Sequence, residues 1–341
     1  MRELLEMMDI LSASGHESAI RDYLMKKIKP HYKDVQADKF GNLIVHKKGK
    51  GPSVMLVAHM DEIGLMVKNV SDRGVIKISM IGGIEPLACV NQRVVIPTKT
   101  GKPIRGIITT IPLSDGEEIE ELPKAEDLVV DTGLEKDELK KLGVDVGTFL
   151  EFEQKSQYLG SNNFVSGKAL DDRIGCFILL ELIKNCKKCT TDIYYVFTVQ
   201  EEIGLYGAKT SIYKLEPEWA LVLDVTDADD LYEHEHTVTK ALGAGPVLTL
   251  KDADLISNAC LNDNIRATAR KRNISIQLEV SDVGTTDALN ISLSKGGVPT
   301  TVFGVAVRNM HTGVGIVHRK DIESAIIVIT DLVKSPPKIC L

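Results

Sequence analysis

The chain has 341 residues, with 41 Lys and Arg against 48 Asp and Glu for a formal net charge of -7. That length suggests about two domains with a sizeable core, and the mixed, mildly acidic charge leaves no basic stripe for nucleic acid. Carboxylates in Met1-Arg2-Glu3-Leu4-Leu5-Glu6 stand where a signal peptide needs an apolar stretch, and no apolar run approaches the roughly 20 residues of a membrane span. The expectation is a cytoplasmic protein that engages neither nucleic acid nor membrane.

The first thirty residues read as two helices. Leu4, Leu5, Met8 and Leu11 repeat at helical spacing, and a second periodic stretch runs from Glu17 to Ile28 before Pro30. Leu43-Ile44-Val45 and Val54-Met55-Leu56-Val57 are strands, the second leading to His59. From about Val67 to Leu159, short β-branched segments alternate with Gly and Pro turns, the pattern of a small barrel or sandwich. Strand and helix then alternate: Arg173 to Lys184 helix, Ile193 to Val199 strand, Ala220 to Leu223 strand, Leu255 to Arg272 helix, Ile274 to Val280 and Pro299 to Val305 strands, Asp321 to Val333 helix. The fold class is therefore α/β: a mixed, mostly parallel sheet flanked by helices, formed by residues 1–66 and 161–341, with a β-rich domain of residues 67–160 inserted.

Six cysteines do not form a disulfide framework in a chain this long. Cys186 and Cys189 have the spacing of half a zinc ribbon, but Cys89, Cys176, Cys260 and Cys340 supply no second pair. Glu233-His234-Glu235-His236 could bind an ion of its own, although its dense charge equally describes a wet loop.

Chemistry concentrates in five fragments: Ala58-His59-Met60-Asp61-Glu62, Ala169-Leu170-Asp171-Asp172, Gln200-Glu201-Glu202, Leu223-Asp224-Val225 and Met310-His311-Thr312. Each of them ends or follows a short apolar run, and in parallel sheets ligands collect beyond the carboxyl ends of the strands. Two histidines and several carboxylates on one rim make the ligand set of a dinuclear hydrolytic site, where two ions about 3.5 to 4 Å apart share and deprotonate one water. A carboxylate has two oxygens, so Asp171 is the candidate bridge. His59 and Asp224 would complete one ion's ligands, Glu202 and His311 the other's. Three carboxylates and a hydroxide would balance two divalent cations, zinc or cobalt suiting such donors. Glu201 would serve as general base, and Asp61 would hold the second imidazole nitrogen of His59.

These motifs resemble the tetrahedral (TET) aminopeptidases, dinuclear metallopeptidases that include glutamyl and deblocking aminopeptidases. The likeness is carried by Ala58 to Gly64, Lys168 to Arg173, Gln200 to Gly204, Leu223 to Thr226, Thr286-Asp287-Ala288 and His311-Thr312. It implies the same ligand roles and a barrel insertion that pairs two subunits. It also implies six such dimers forming a hollow dodecamer that admits short peptides. Two departures touch the pocket for the first substrate residue. Thr312-Gly313-Val314-Gly315 replaces a run with a proline and an acid, and Val283 to Asn290 is bulkier than the family's small-residue version.

The expected activity is removal of amino-terminal residues, leucine-like or neutral, from short peptides. A carboxypeptidase or deacylase would instead need a cationic grip, from Arg308 or Arg105. A glycoside hydrolase would leave the histidines without purpose and has a single tryptophan, Trp219, for stacking. A non-enzymatic scaffold would use only the β insertion.

Overall fold

The structure, a computed structural model, describes residues 1–110, 116, 121–160, 162–186, 189–231 and 239–337. The Glu233 to His236 tract lies outside them, as does Cys340. Two helices open the chain, Arg2–Met8 and Ser18–Ile28, and bury Leu4, Met7 and Met8 and Ile20, Leu24 and Ile28. At the centre, strands Asp192–Thr198, Ser53–His59, Trp219–Val222 and Thr300–Arg308 lie side by side in parallel. Parallel strands covered on both faces need apolar side chains in both directions. Val54 to Ala58 meets that demand, with every one of these residues fully buried.

The flanks of the sheet are antiparallel. Leu43–Lys47 pairs with Asp192–Thr198 on one side. On the other, Gly315–His318 runs against Thr300–Arg308, and Phe164–Gly167 runs against Gly315–His318. Two reversals restore direction, so Phe164–Gly167 ends at the same rim as the four central strands. The sheet is mixed, with twelve strands among the described residues. One face packs against helices Leu170–Asn185 and Arg319–Lys334. The other buries Met55, Val57, Val196, Ala220 and Val222 against Ala208, Ile212 and Ile291.

Strands Gly64–Val70, Ile76–Ile81, Leu128–Asp131, Ile104–Thr110, Arg93–Ile96 and Phe149–Phe152 close in that order into an antiparallel barrel. Its core is its own, with Leu65, Val67, Ile76, Ile78, Val94, Ile96, Ile108, Val130 and Leu150 pointing inward. The barrel strands lie between Gly64 and Phe152, while Gln157–Leu159 pairs with Phe164–Gly167 in the main sheet. The textural limits at 67 and 160 differ from these because only four residues separate His59 from the barrel's first strand, too few to change composition.

A buried ion cluster ties the start of the chain to the connection between sheet and barrel. Lys168 Nζ donates to Glu62 Oε1 at 2.6 Å, Glu62 Oε2 at 2.8 Å and the Ile10 carbonyl at 3.1 Å. Arg173 adds Nη2 to Glu62 Oε1 at 3.3 Å and Nε to the Met7 carbonyl at 3.2 Å. All three charged side chains are nearly sealed from solvent. Breaking a buried pair by removing one partner costs about 3–5 kcal/mol. Lys168→Met is expected to lose stability of that order, read as a lower urea midpoint with the slope unchanged. An unaltered midpoint would show that the cluster is energetically idle.

Candidate metal centre

Four parallel strands point their carboxyl ends to one rim, and each delivers a fragment. His59 is the last residue of its strand; Glu201 and Glu202 follow Asp192–Thr198, Asp224 follows Trp219–Val222, and His311 follows Thr300–Arg308. Phe164–Gly167, aligned with them, leads to Asp171 at the start of the next helix. His59, Asp171, Glu201, Glu202, Asp224 and His311 all line one cavity of about 750 Å³, within the range of small-molecule sites.

Asp171 is the hub. Its Oδ1 lies 2.9 Å from His59 Nε2 and its Oδ2 lies 3.3 Å from His311 Nε2, so each oxygen faces a different imidazole. Glu202 Oε2 is 3.6 Å from His311 Nε2, and Asp224 Oδ1 is 3.9 Å from His59 Nε2. Ligand atoms of His59, Asp171 and Glu202 lie within 4.8 Å of one another, as do those of His59, Asp172 and Asp224. Asp172 carried no assigned role in the sequence. It is fully buried, with Oδ1 accepting the Gly175 N–H at 2.8 Å and Oδ2 unpartnered among the described residues.

The electrostatics are those of a cation site. Burial and the charge of Asp171 push Glu202 up to about 8 and Asp224 up to about 8. Burial also holds Glu201 and Asp172 well above the carboxylate range. Asp171 stays below its ordinary value despite burial, because both imidazoles hydrogen-bond to it. That bond raises His311 to about 9. His59 is raised too, as Glu201 and Asp171 outweigh burial. So many acids cannot all ionise in a low-dielectric pocket unless positive charge joins them. The donors fit such charge: Glu202 Oε1 is buried with no hydrogen-bond partner among the described residues, and imidazole with carboxylate is the donor set for zinc or cobalt.

The chain is held in place from behind. Val199 N–H donates to Asn42 Oδ1 at 3.1 Å, Gln200 N–H to Glu17 Oε1 at 3.2 Å, Glu201 N–H to Asp61 Oδ1 at 3.2 Å and Glu202 N–H to Asp61 Oδ2 at 3.2 Å. Four successive amides are thus fixed by three side chains. Asp61 is fully buried behind the cavity, and its Oδ1 lies 3.5 Å from His59 Nδ1. Asp61 thus faces His59 Nδ1 and at the same time accepts the backbone amides of the two glutamates. The spacing of Asp61 from His59 gave no sign of this second contact, which depends on the neighbouring strand. Gln200 and His311 adopt left-handed backbone (φ 54 for each), a conformation that costs side-chain-bearing residues about 1–2 kcal/mol. Asp287, a motif residue without an assigned role, is buried and accepts from Thr198 Oγ1 at 2.5 Å.

The cationic grips that a rival chemistry would need are otherwise engaged. Arg308 makes a two-pronged pair with Asp230 at 2.7 and 2.8 Å, and Arg105 pairs with Glu153 in the barrel.

The model of the M42 glutamyl aminopeptidase family matches residues 41–328. Lysyl aminopeptidase of Pyrococcus furiosus is 33% identical over 319 residues, covering 92% of this chain and 90% of that one. An aminopeptidase from the archaeon Desulfurococcus kamchatkensis superposes with a TM-score of 0.93 at 32% identity, covering 98% of this chain and 94% of the other. The TET1 peptidase of Pyrococcus horikoshii, which can assemble into a tetrahedron or a large octahedral shell, gives a TM-score of 0.87 at 30% identity, with 98% and 99% covered. The likeness to TET aminopeptidases drawn from six motifs therefore extends over the whole fold. On these matches the chain belongs to the M42 glutamyl aminopeptidase family and is a metal-dependent aminopeptidase.

Proposed function

We propose that the cluster holds two divalent cations, zinc or cobalt, and that Glu201 is the general base for release of amino-terminal residues from short peptides. In this reading His59 and Asp224 hold one ion, Glu202 and His311 the other, and Asp171 both. The observation that carries it is Asp171, whose two oxygens face two separate imidazoles. When bound, such ions polarise a carbonyl and lower the pKa of water. The residues of the chain do the rest. Glu201 lines the cavity beside the cluster, and burial raises its proton affinity. It can thus take a proton from water and return it to the leaving amine. Asp61 fixes the direction of Glu201 and Glu202 through their amides. It acts by positioning.

The cavity's lining suits a peptide better than a sugar. Among the described residues it carries no Phe, Tyr or Trp, and Trp219 is buried in its strand. A carboxypeptidase reading finds no unpaired cation among the described residues of the cavity, since Lys240 is held by Glu279 and Arg308 by Asp230. In the same reading the barrel pairs two subunits and six such dimers make a dodecamer, a reading supported by the likeness to a peptidase that can assemble into a tetrahedron and to a dodecameric one. A cytoplasmic location accords with the helices, for none among the described residues is long and apolar enough to cross a membrane.

Three outcomes are expected. Glu201→Gln should retain its bound metal, by elemental analysis, and lose about 10² to 10⁴-fold in kcat; undiminished turnover would remove Glu201 from the mechanism. Asp171→Asn should lower metal content per subunit sharply, whereas full occupancy would refute the shared-ligand role. An aminoacyl anilide with a free amine should be cleaved and its N-acetyl counterpart should not; comparable rates on both would contradict an exopeptidase.

A further inference from the structure

Beyond the carboxylate cluster, the same cavity runs along strands Val225–Asp227, Val247–Lys251 and Gln277–Val280. Its walls there carry Glu85, Asp227, Asp252 and Glu279 against a single ammonium, that of Lys240, among the described residues. The ammonium is already committed. Lys240 Nζ donates to Glu279 Oε1 at 2.7 Å and to Thr226 Oγ1 at 3.3 Å, while Glu279 Oε2 accepts from Thr249 Oγ1 at 2.6 Å. With side chains only 14% and 8% exposed, Lys240 and Glu279 form a neutral, fixed wall.

The remaining carboxylates have no ion-pair partner among the described residues. Asp227 and Glu85 are exposed and have no side-chain hydrogen bond or ion pair among the described residues. Asp252 is 6% exposed; its Oδ1 accepts the Asp254 and Leu255 amides at 2.8 and 2.7 Å, and its Oδ2 has no partner among the described residues. Asp227 lies three residues beyond Asp224 and pairs in register with Val307, on the strand that leads to His311. A carboxylate with no ion-pair partner among the described residues therefore stands beside the proposed metal pair.

The geometry points to Asp227 as a specificity-determining residue that receives a cationic amino-terminal side chain, of the Lys or Arg class, at the end of the cavity that leads to His311. The inference rests on the reading of this cavity as the site of amino-terminal cleavage. A leucine-like side chain would gain nothing from these carboxylates, and an acidic one would be repelled. Two unit charges at contact in a partly screened pocket are worth roughly a tenfold change or more, and salt weakens the part that solvent reaches.

The test is selectivity of the metal-loaded enzyme on Lys, Arg, Leu and Glu p-nitroanilides. Lys and Arg should exceed Leu in kcat/KM by about tenfold, chiefly through KM, with the Lys/Leu ratio falling as ionic strength rises. Asp227→Asn should lower the Lys/Leu ratio about tenfold, Asp227→Glu should largely keep it, and Asp227→Lys should shift preference toward Glu. Equal loss on all four substrates in Asp227→Asn, or a wild-type preference for Leu or Glu, would overturn the assignment while leaving the aminopeptidase reading intact. Turnover of none of the four, with metal bound, would sink that reading and this one with it.

Discussion

The structure is organised around an expense that most folds avoid: several carboxylates crowded together away from water. Asp171, Asp172, Glu201, Glu202 and Asp224 share one end of the sheet with two imidazoles, and burial raises the proton affinity of each, an effect the two imidazoles reverse at Asp171 alone. Such groups repel each other and resist desolvation, so nothing in their own interactions would gather them. Rigid backbone does it, and cations make the arrangement favourable.

The rigidity has identifiable parts. Parallel strands register the fragments to one level, and the amides of residues 199 to 202 are fixed by Asn42, Glu17 and Asp61. Glu17 and Asp61 are themselves buried acids, so the loop carrying Glu201 and Glu202 hangs from further anions whose lone pairs are taken up by N–H groups. Close backbone approach matters as well. At Gly304 an added Cβ would come 1.5 Å from the Asp224 carbonyl, so only glycine lets that strand pass the metal-side loop.

Periodicity and strand-end placement made much of this legible. His59, Glu201, Glu202, Asp224 and His311 each stand at or just beyond a strand with an apolar run, a local signal that needs no knowledge of partners. What could not be read depends on which strands become neighbours. The contacts of Asp61 with the Glu201 and Glu202 amides, of Thr198 with Asp287, and of Glu62 with Lys168 and Arg173 span 89 to 141 positions of sequence. No pattern within a fragment encodes them. Asp172 is illegible for a different reason: an acid beside Asp171 at a helix start has the pattern of a first-turn residue, whereas its backbone is not helical (φ -116, ψ 48) and its side chain turns into the buried cluster.

The barrel, distinct in composition and core, is nonetheless part of the site. The loop after its strand Ile76–Ile81, at Gly82 and Gly83, abuts the cluster so closely that a Cβ on Gly82 would stand 3.0 Å from Glu202 Oε2, and one on Gly83 3.2 Å from His311 Nδ1. On the opposite side, Phe149 stacks on His16, with ring centroids 4.9 Å apart, in the segment that also carries Glu17. A shift of the barrel against the sheet would therefore press on two proposed metal ligands at one point and disturb the support of the glutamate loop at another. An interior packed at this density passes strain along instead of absorbing it. Any surface that fixes the barrel from outside would thereby also fix the shape of the cavity, which gives an assembly built on the insertion a physical route to the chemistry.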